Sequence, residues 1–524
     1  MQHWAFEIAK QVIEHNPNKD EYVCAAGISP SGSVHIGNFR DIITSYFVVK
    51  ALQSLGKKAK LIFSWDDFDR LRKVPLNIQG VTQSFEENIG RPLTFISDPH
   101  KENASYGEYF EREFEESLKI LGAEPDKYLY QTKEYMSGRY LDLIKHSIEY
   151  RKQIYDIIME FKTQDSNVEE RENYYPITIY CDKSLKDNTK IIKYDKASGQ
   201  LDFFCRDCNV LHSVNINSYK FIKLVWKVDW PMRWLAEKVD FEPGGIDHAS
   251  TGGSFDVSKE ISRRIFKFEP PVFKGYGWLG IRGLGNMHSS TGKNITPGQV
   301  LKIYEPEVIK WLFAKYKPED GFDFAFDETV FRHYSEFDKA LVSYINDETN
   351  EYDSAVFDFC LPDKKKTKTK TAFSHIATIA PIVDFNENLT KKSLNKAGFE
   401  FEPHSFSRLK LTKNWIEIYN PDKKYVLLEQ FNNEFYDTLS EEEKNAISAI
   451  YDFIENNNFT EQEIQQKLYS IINDSNLSKK ENIARQKTYF KNFYNMLFGK
   501  DDGPRLYLYL AAANKENYLK LLKQ

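Results

Sequence analysis

Residues 27–41, GISPSGSVHIGNFRD, gather groups suited to phosphate: a histidine, an asparagine and three glycines around a Pro-Ser-Gly turn. At Gly32 the missing side chain permits backbone geometry that a β-carbon would block. His35 can donate a hydrogen bond to a phosphate oxygen, Gly37 lets a flat base or ribose come close, and Asn38 adds a polar contact. A second cluster, GGIDH at 244–248, sets two glycines before Asp247 and His248; the glycines let a nucleoside approach the backbone, and a carboxylate there can accept both ribose hydroxyls. A glycine-rich loop, RGLGNMHSSTGKN at 282–294, follows. A third cluster is Cys181, Ser184, Cys205 and Cys208 with His212 beyond, one intact Cys-x-x-Cys knuckle and one broken one.

The elements that must position these groups are strands and helices in alternation. EYVCAAGI reads as a buried strand, and FRDIITSYFVVKALQSLGKK places apolar residues at helical spacing. The turn between them therefore puts His35 and Gly37 just inside an amphipathic helix, whose positive end and free N–H groups suit an anion. Then come a strand, KAKLIFSWDDFDR, a helix, YGEYFEREFEESLKILG, a strand, DKYLYQT, and one long helix, SGRYLDLIKHSIEYRKQIYDIIMEF. This alternation predicts a parallel sheet with ligands at the carboxyl ends of its strands. From about 170 to 220 the pattern changes to short β-like runs, YYPITIYC, TKIIKYD and QLDFFC, read as a small inserted module. Past about 330 the chain is helical and rich in Lys, Asn and Glu. The run KKKTKTKT at 364–371 reads as an exposed loop, with phosphate contact as its other use.

Bulk properties bound the function. At 524 residues the chain holds two to four domains, and a formal charge of −6 confines any polyanion contact to local patches. Five cysteines, at 24, 181, 205, 208 and 360, do not make a disulfide framework. The N-terminal helix carries charges throughout, unlike a secretion signal, and no run has transmembrane length, so a cytoplasmic protein is expected.

SPSGSVHIGN resembles the His-Ile-Gly-His signature of class I aminoacyl-tRNA synthetases, in the form ending in Asn. With FSWDDFDR, LVWKVDWPMRW and FEPGGIDHASTGGSFDVSKEI in order, residues 1 to about 345 resemble the class I lysyl-tRNA synthetases. The resemblance implies an α/β protein: a Rossmann-like catalytic domain at 1–345 with a β-rich, zinc-ribbon-like insertion at about 170–220, then an all-α anticodon-binding domain at 346–524. It implies a lysine–tRNA ligase whose partners are lysine, ATP with Mg²⁺ and tRNA(Lys), with no membrane and a monomer favoured. A paralogue serving another amino acid or acceptor, and a non-catalytic tRNA-binding regulator, are the alternatives.

By the same resemblance, the catalytic residues are His35, Gly37, Asn38, Ser289, Ser290 and Lys293. ATP falls to Pro30, Gly32, His35, Asn38, Gly245, Asp247 and Met287. The amino-acid pocket falls to Gly27, Ser29, Trp226, Asp229, His248 and Tyr276, with core packing as the other use of Trp226 and Tyr276. The loop at 286–293, NMHSSTGK, lacks the lysines of the family's Lys-Met-Ser-Lys-Ser loop. Losing one such donor costs about 2.7 to 4 kcal/mol unless Lys293 or a charged His288 replaces it. Two knuckles would make a zinc site in this family; with Ser184 breaking one, the expectation is a metal-free ribbon, with Cys181, Cys205, Cys208 and His212 as the other possibility.

Overall fold

The computed structural model describes residues 2–74, 83–162, 167–248, 252–282, 285–286 and 295–523. The chain separates into two compact units: Met1–Leu301 with Ile309–Phe324 and Thr349–Pro362, and Lys302–Val308 with Ala325–Glu348 and Asp363–Gln524.

The first unit is built on a five-stranded sheet of β1 (Glu21–Ile28), β2 (Lys58–Trp65), β3 (Lys127–Tyr130), β4 (Phe241–Gly245) and β5 (Val272–Tyr276). The spatial order is β5-β4-β1-β2-β3 and every pairing is parallel. The chain moves outward from β1 through β2 to β3, then returns to the other side of β1 as β4. Strand order therefore reverses between β1 and β4, which opens a crevice at their carboxyl ends. The apolar face of α1 (Trp4–His15), made of Trp4, Ile8 and Val12, is buried. Each such side chain contributes about 1.5 to 3 kcal/mol of transfer free energy. His3 and Trp4 also fasten this helix to the carbonyl of Ala314, at 2.9 Å each.

The structure corrects the helix after the motif turn. α2 (Phe39–Ser54) begins at Phe39, so His35 and Gly37 lie in the turn before it. It is also buried nearly all round, Arg40 and Asp41 included, because it lies against both α1 and the sheet. The long helix read at 137–161 is likewise two, Leu141–Glu149 and Arg151–Glu160, since Tyr150 leaves helical geometry at φ −90°, ψ 12°. Its ring lies 4.6 Å from that of His146.

Between β3 and β4 lies the insertion. Thr189–Asp195, Gln200–Cys205 and Val210–Asn215 form an antiparallel meander, while Ile177–Ile179 pairs antiparallel with Ile222–Leu224 and closes its stem. Leu201, Phe203 and Cys205 share a core with Ile144, Ile154 and Met232, so the module is seated on the helices flanking the sheet. After β5, Leu279–Ile281 pairs parallel with Phe322–Phe324.

In the second unit the described residues form helices. Their N-termini follow their sequences: Ser440, Thr460 and Ser478 each close a capping box with a glutamate three residues on. The lysine run at 364–371 is only partly a free loop. Lys370 is paired with buried Glu305, which also receives Arg408 at 2.9 Å, Lys364 pairs with Asp347, and Thr371 is buried. Among the described residues no helix is long and apolar enough to cross a membrane.

Candidate active site

β1 ends at Ile28, and the chain turns across the mouth of the crevice through residues 29–38. Hydrogen bonds fix this turn, among them Tyr106 Oη to Ser31 O at 2.9 Å, Ile36 N–H to Ile295 O at 2.7 Å, and Asn38 N–H to His35 O at 2.9 Å. Pro30, Val34, His35 and Ile36 are buried, whereas Gly32 and Gly37 are only partly covered. A β-carbon at Gly32 would meet nothing within 4 Å, and its φ is not positive. The protein itself therefore does not demand glycine there, contrary to the sequence reading.

On the other side of the crevice, Gly244 and Gly245 end β4. A β-carbon on Gly244 would press on the Phe273 ring at 2.8 Å, and one on Gly245 would collide with the Asp247 carboxylate. Gly244 is thus required by close approach, whereas at Gly245 the exposed Asp247 carboxylate would have to turn aside. Ile246 N–H donates to Tyr276 O at 3.1 Å and His248 N–H to Gly245 O at 2.9 Å, so Asp247 and His248 sit on a turn pinned to the ends of β4 and β5.

Behind these two rims lies a pair of acids, Asp41 buried and Glu242 half-buried. Asp41, on the first turn of α2, accepts the Tyr276 phenol at 2.9 Å and Gly27 N–H at 3.3 Å. Burial, and then the like charge of Glu242, push its carboxyl well above the usual range. Burial likewise raises Glu242, to about 7, against the pull of the Trp234 indole that donates to it at 2.6 Å. Among the described residues neither acid forms an ion pair with Lys or Arg. Trp226 and Trp230 stack at 5.0 Å and 17°, and the His248 ring lies 6.0 Å from Trp230.

Beside them a network gathers buried Asp66 and Asp229 and half-buried Asp69 with Arg233 and Lys223. Arg233 bonds Asp66 and Asp229 and reaches Ser64 Oγ at 3.1 Å; Lys223 bonds Asp69 and stands 3.9 Å from Asp229. Tyr135 donates to Asp229, which is wholly buried. Burial raises Asp66, while for Asp69 the adjacent Lys223 overcomes burial and lowers it.

Known proteins are similar to this chain along nearly its whole length. The family described as tRNA synthetases class I (K) matches residues 2–362. The chain belongs to this family. It is 35% identical to a protein of Borreliella burgdorferi named lysine–tRNA ligase, over 96% of this chain and 95% of that one. Proteins of the same name from Treponema pallidum and Pyrococcus horikoshii are 32% and 31% identical, covering 96% and 100% of this chain and 95% and 99% of theirs.

In this class I synthetase, the structure brings Gly27, Ser29, Pro30, Gly32, His35, Gly37 and Asn38 to one rim, and Gly245, Asp247, His248 and Tyr276 to the other. Trp226 and Asp229 open the helix after the insertion, α3 (Trp226–Glu237). Asp229 is fully buried and accepts from Arg233 and Tyr135. Met287, Ser289, Ser290 and Lys293 lie outside the described residues. Sequence reasoning missed Asp41, Glu242, Asp66 and Arg233. Asp41 could have been flagged as an acid in the first turn of an otherwise apolar helix, and Arg233 as the i+4 partner of Asp229.

Proposed function

We propose that this synthetase activates lysine with ATP and transfers it to the 3′ adenosine of tRNA(Lys). The observation that carries this reading is a pair of acids, buried Asp41 and half-buried Glu242, that accept from the Tyr276 phenol and the Trp234 indole. Two carboxylates without a cationic partner, at the end of an aromatic channel, suit the ε-ammonium of a long aliphatic side chain. Its stem lies along the tryptophans, and its carboxylate then reaches toward the motif turn. The α-ammonium faces Asp66, whose Oδ1 is already held by Arg233.

In the first step a carboxylate oxygen of lysine attacks the α-phosphorus of ATP. The bond to pyrophosphate breaks, leaving lysyl-adenylate. Negative charge builds on the phosphate oxygens, and His35 with the N–H groups of the turn stabilises it without a covalent nucleophile. Asp247 accepts the ribose hydroxyls and the bare backbone at Gly32, Gly37 and Gly245 receives the nucleoside. Mg²⁺ bound with ATP would supply neutralisation of the triphosphate charge. Lys293, Ser289 and Ser290, with Met287 beside them, serve the triphosphate from the second loop. In the second step a ribose hydroxyl of the terminal adenosine attacks the carbonyl and AMP leaves. The helical region at 346–524 meets the anticodon. The protein works as a cytoplasmic monomer.

The test is lysine-dependent exchange of pyrophosphate into ATP, followed by charging of labelled lysine onto tRNA and onto the same tRNA oxidised by periodate. Exchange together with charging that the oxidised tRNA abolishes is expected. Binding of tRNA without exchange would overturn the reading.

A further inference from the structure

Two ammonium groups stand beside the stacked tryptophans with nothing to receive them. Lys227 follows Trp226 on the first turn of α3, and Lys162 lies just past the helix Arg151–Glu160. Lys227 is half-buried and Lys162 exposed, and among the described residues the side chain of neither has an acceptor. They are near neighbours: burial, and then the like charge of Lys162, lower the Lys227 ammonium below its ordinary value. We infer that Lys162 and Lys227 seat the phosphodiester backbone at the 3′ end of the tRNA, beside the crevice where lysine is activated. This inference rests on the ligase reading above and adds the residues that receive its second substrate.

The surrounding ion pairs show why an outside anion is needed. Three helices meet here, Arg151–Glu160, α3 and Ser254–Ile261, and every carboxylate on them is committed to another cation. On the first, Arg171 takes Asp156 at 2.6 Å and Arg264 takes Glu160 at 2.7 Å. On α3, Arg233 takes Asp229 and Arg139 takes Glu237. On the third, Lys259 takes Asp256 at 3.1 Å and Arg263 stands 3.5 Å from Glu260. The other basic residues of the first helix are satisfied as well, Arg151 on the Glu172 and Tyr174 carbonyls and Lys152 on the Glu172 carboxylate. A half-buried ammonium left over in this way has given up hydration for no protein partner, and a like charge beside it adds repulsion. A phosphate between the two relieves both costs.

Position selects RNA over the other phosphate source, ATP. Ser258 Oγ donates to Lys227 O at 3.1 Å and Phe255 N–H to His248 O at 3.2 Å, so the helix Ser254–Ile261 ties Lys227 to the turn that carries Asp247 and His248. A β-carbon on Gly252 would stand 3.3 Å from Phe161 O, which sets Lys162 beside the start of that same helix. The pair therefore lies on the side of the tryptophans that the insertion joins, whereas the triphosphate is assigned to the motif turn after β1. A terminal ribose reaching the lysyl carbonyl trails its phosphates outward past Trp226. The chain as a whole carries a formal charge of −6, so its contacts with RNA depend on local cations of this kind.

The test compares the full chain with Lys162→Gln, Lys227→Gln, the double variant and Lys227→Arg. Pyrophosphate exchange runs without tRNA and reads activation and folding; charging reads the RNA. The double variant is expected to raise KM for tRNA roughly 10-fold. The slope of log KM for tRNA against log salt should fall by about 0.7 for each lysine removed. Lys227→Arg, which keeps the charge, should restore KM for tRNA, and in the exchange assay KM for ATP should stay within about twofold of wild type in every variant. A double variant with the wild-type KM for tRNA and the wild-type salt slope overturns the seat while leaving the ligase reading in place. A raised KM for ATP in exchange also overturns it, because the lysines then serve the triphosphate. A wild-type chain that neither exchanges pyrophosphate nor charges tRNA overturns the ligase reading, and the seat with it.

Discussion

The phenol of Tyr276, at the end of the last strand of the central sheet, donates to Asp41 in the first turn of α2 at 2.9 Å. Next to each partner, Arg40 donates to the carbonyls of Gly277, Lys317 and Asp320, at 3.0 and 3.2 Å for the first two, and is itself buried. The acid and the phenol are therefore held in register by the residue beside each of them. Tyr276→Phe removes a hydrogen bond to a carboxylate, worth about 1.5 to 3 kcal/mol. Steady-state kinetics should show KM for lysine raised roughly 10- to 150-fold, with kcat nearly unchanged and KM for ATP unmoved.

The pH dependence follows from the two acids. Glu242 is raised to about 7 and Asp41 well above its ordinary value. A carboxyl raised in the folded state binds more protons folded than unfolded, so the free protein loses stability as pH climbs from the ordinary carboxyl range through about 7. Lysine binding needs the ionised acids and should reverse that loss. Thermal unfolding should show a larger stabilisation by lysine at pH 8 than at pH 6, and kcat/KM for lysine should rise across the same interval. Glu242→Gln should flatten both profiles.

Arg233 neutralises two buried carboxylates at once. Arg233→Met leaves Asp66 and Asp229 uncompensated and should cost about 3 to 5 kcal/mol of stability. Urea denaturation measures this directly. Adding Asp229→Asn should recover part of the loss, because the removed charge no longer needs a partner.

Gly245→Ala places a β-carbon against the Asp247 carboxylate. Overpacking of this kind costs about 1 to 3 kcal/mol, and here it falls on the residue assigned to the ribose. The expected kinetic signature is a rise in KM for ATP of roughly 5- to 150-fold, with KM for lysine within about twofold of wild type. An equal rise in both constants would count against Asp247 as the ribose acceptor.

Much of the rim was legible from local chemistry. A buried strand followed by Pro-Ser-Gly, and a Gly-Gly pair at the end of another, announce themselves because glycine has few other reasons to recur at strand ends. The foot of the crevice was not legible. Asp41 and Glu242 are some 200 residues apart in the chain, and only the return of β4 beside β1 brings them together. α2 obscured the signal further: burial on all sides erases the apolar stripe from which a helix face is read, so an inward acid looked like an ordinary first-turn residue. The break at Tyr150 had no Gly or Pro to mark it. The cysteine cluster was visible as a spacing, but the closeness of Ser184 to Cys205 depends on how the meander folds back.

The first unit takes its last pieces from Ile309–Phe324 and Thr349–Pro362, and His3 and Trp4 are fastened to Ala314. During synthesis, which proceeds from the N-terminus, the opening helix must wait for residues made more than three hundred positions later. Ile28 and Gly245 can both be outside the ribosome while the carbonyls that hold Arg40 are still untranslated. The pocket proposed for lysine is thus among the last features the nascent chain can complete, and a premature stop anywhere before Asp320 leaves Arg40 without one of its carbonyl partners. Pulse-labelled chains released at successive lengths should acquire protease resistance in one late step, between about residues 320 and 362, instead of strand by strand.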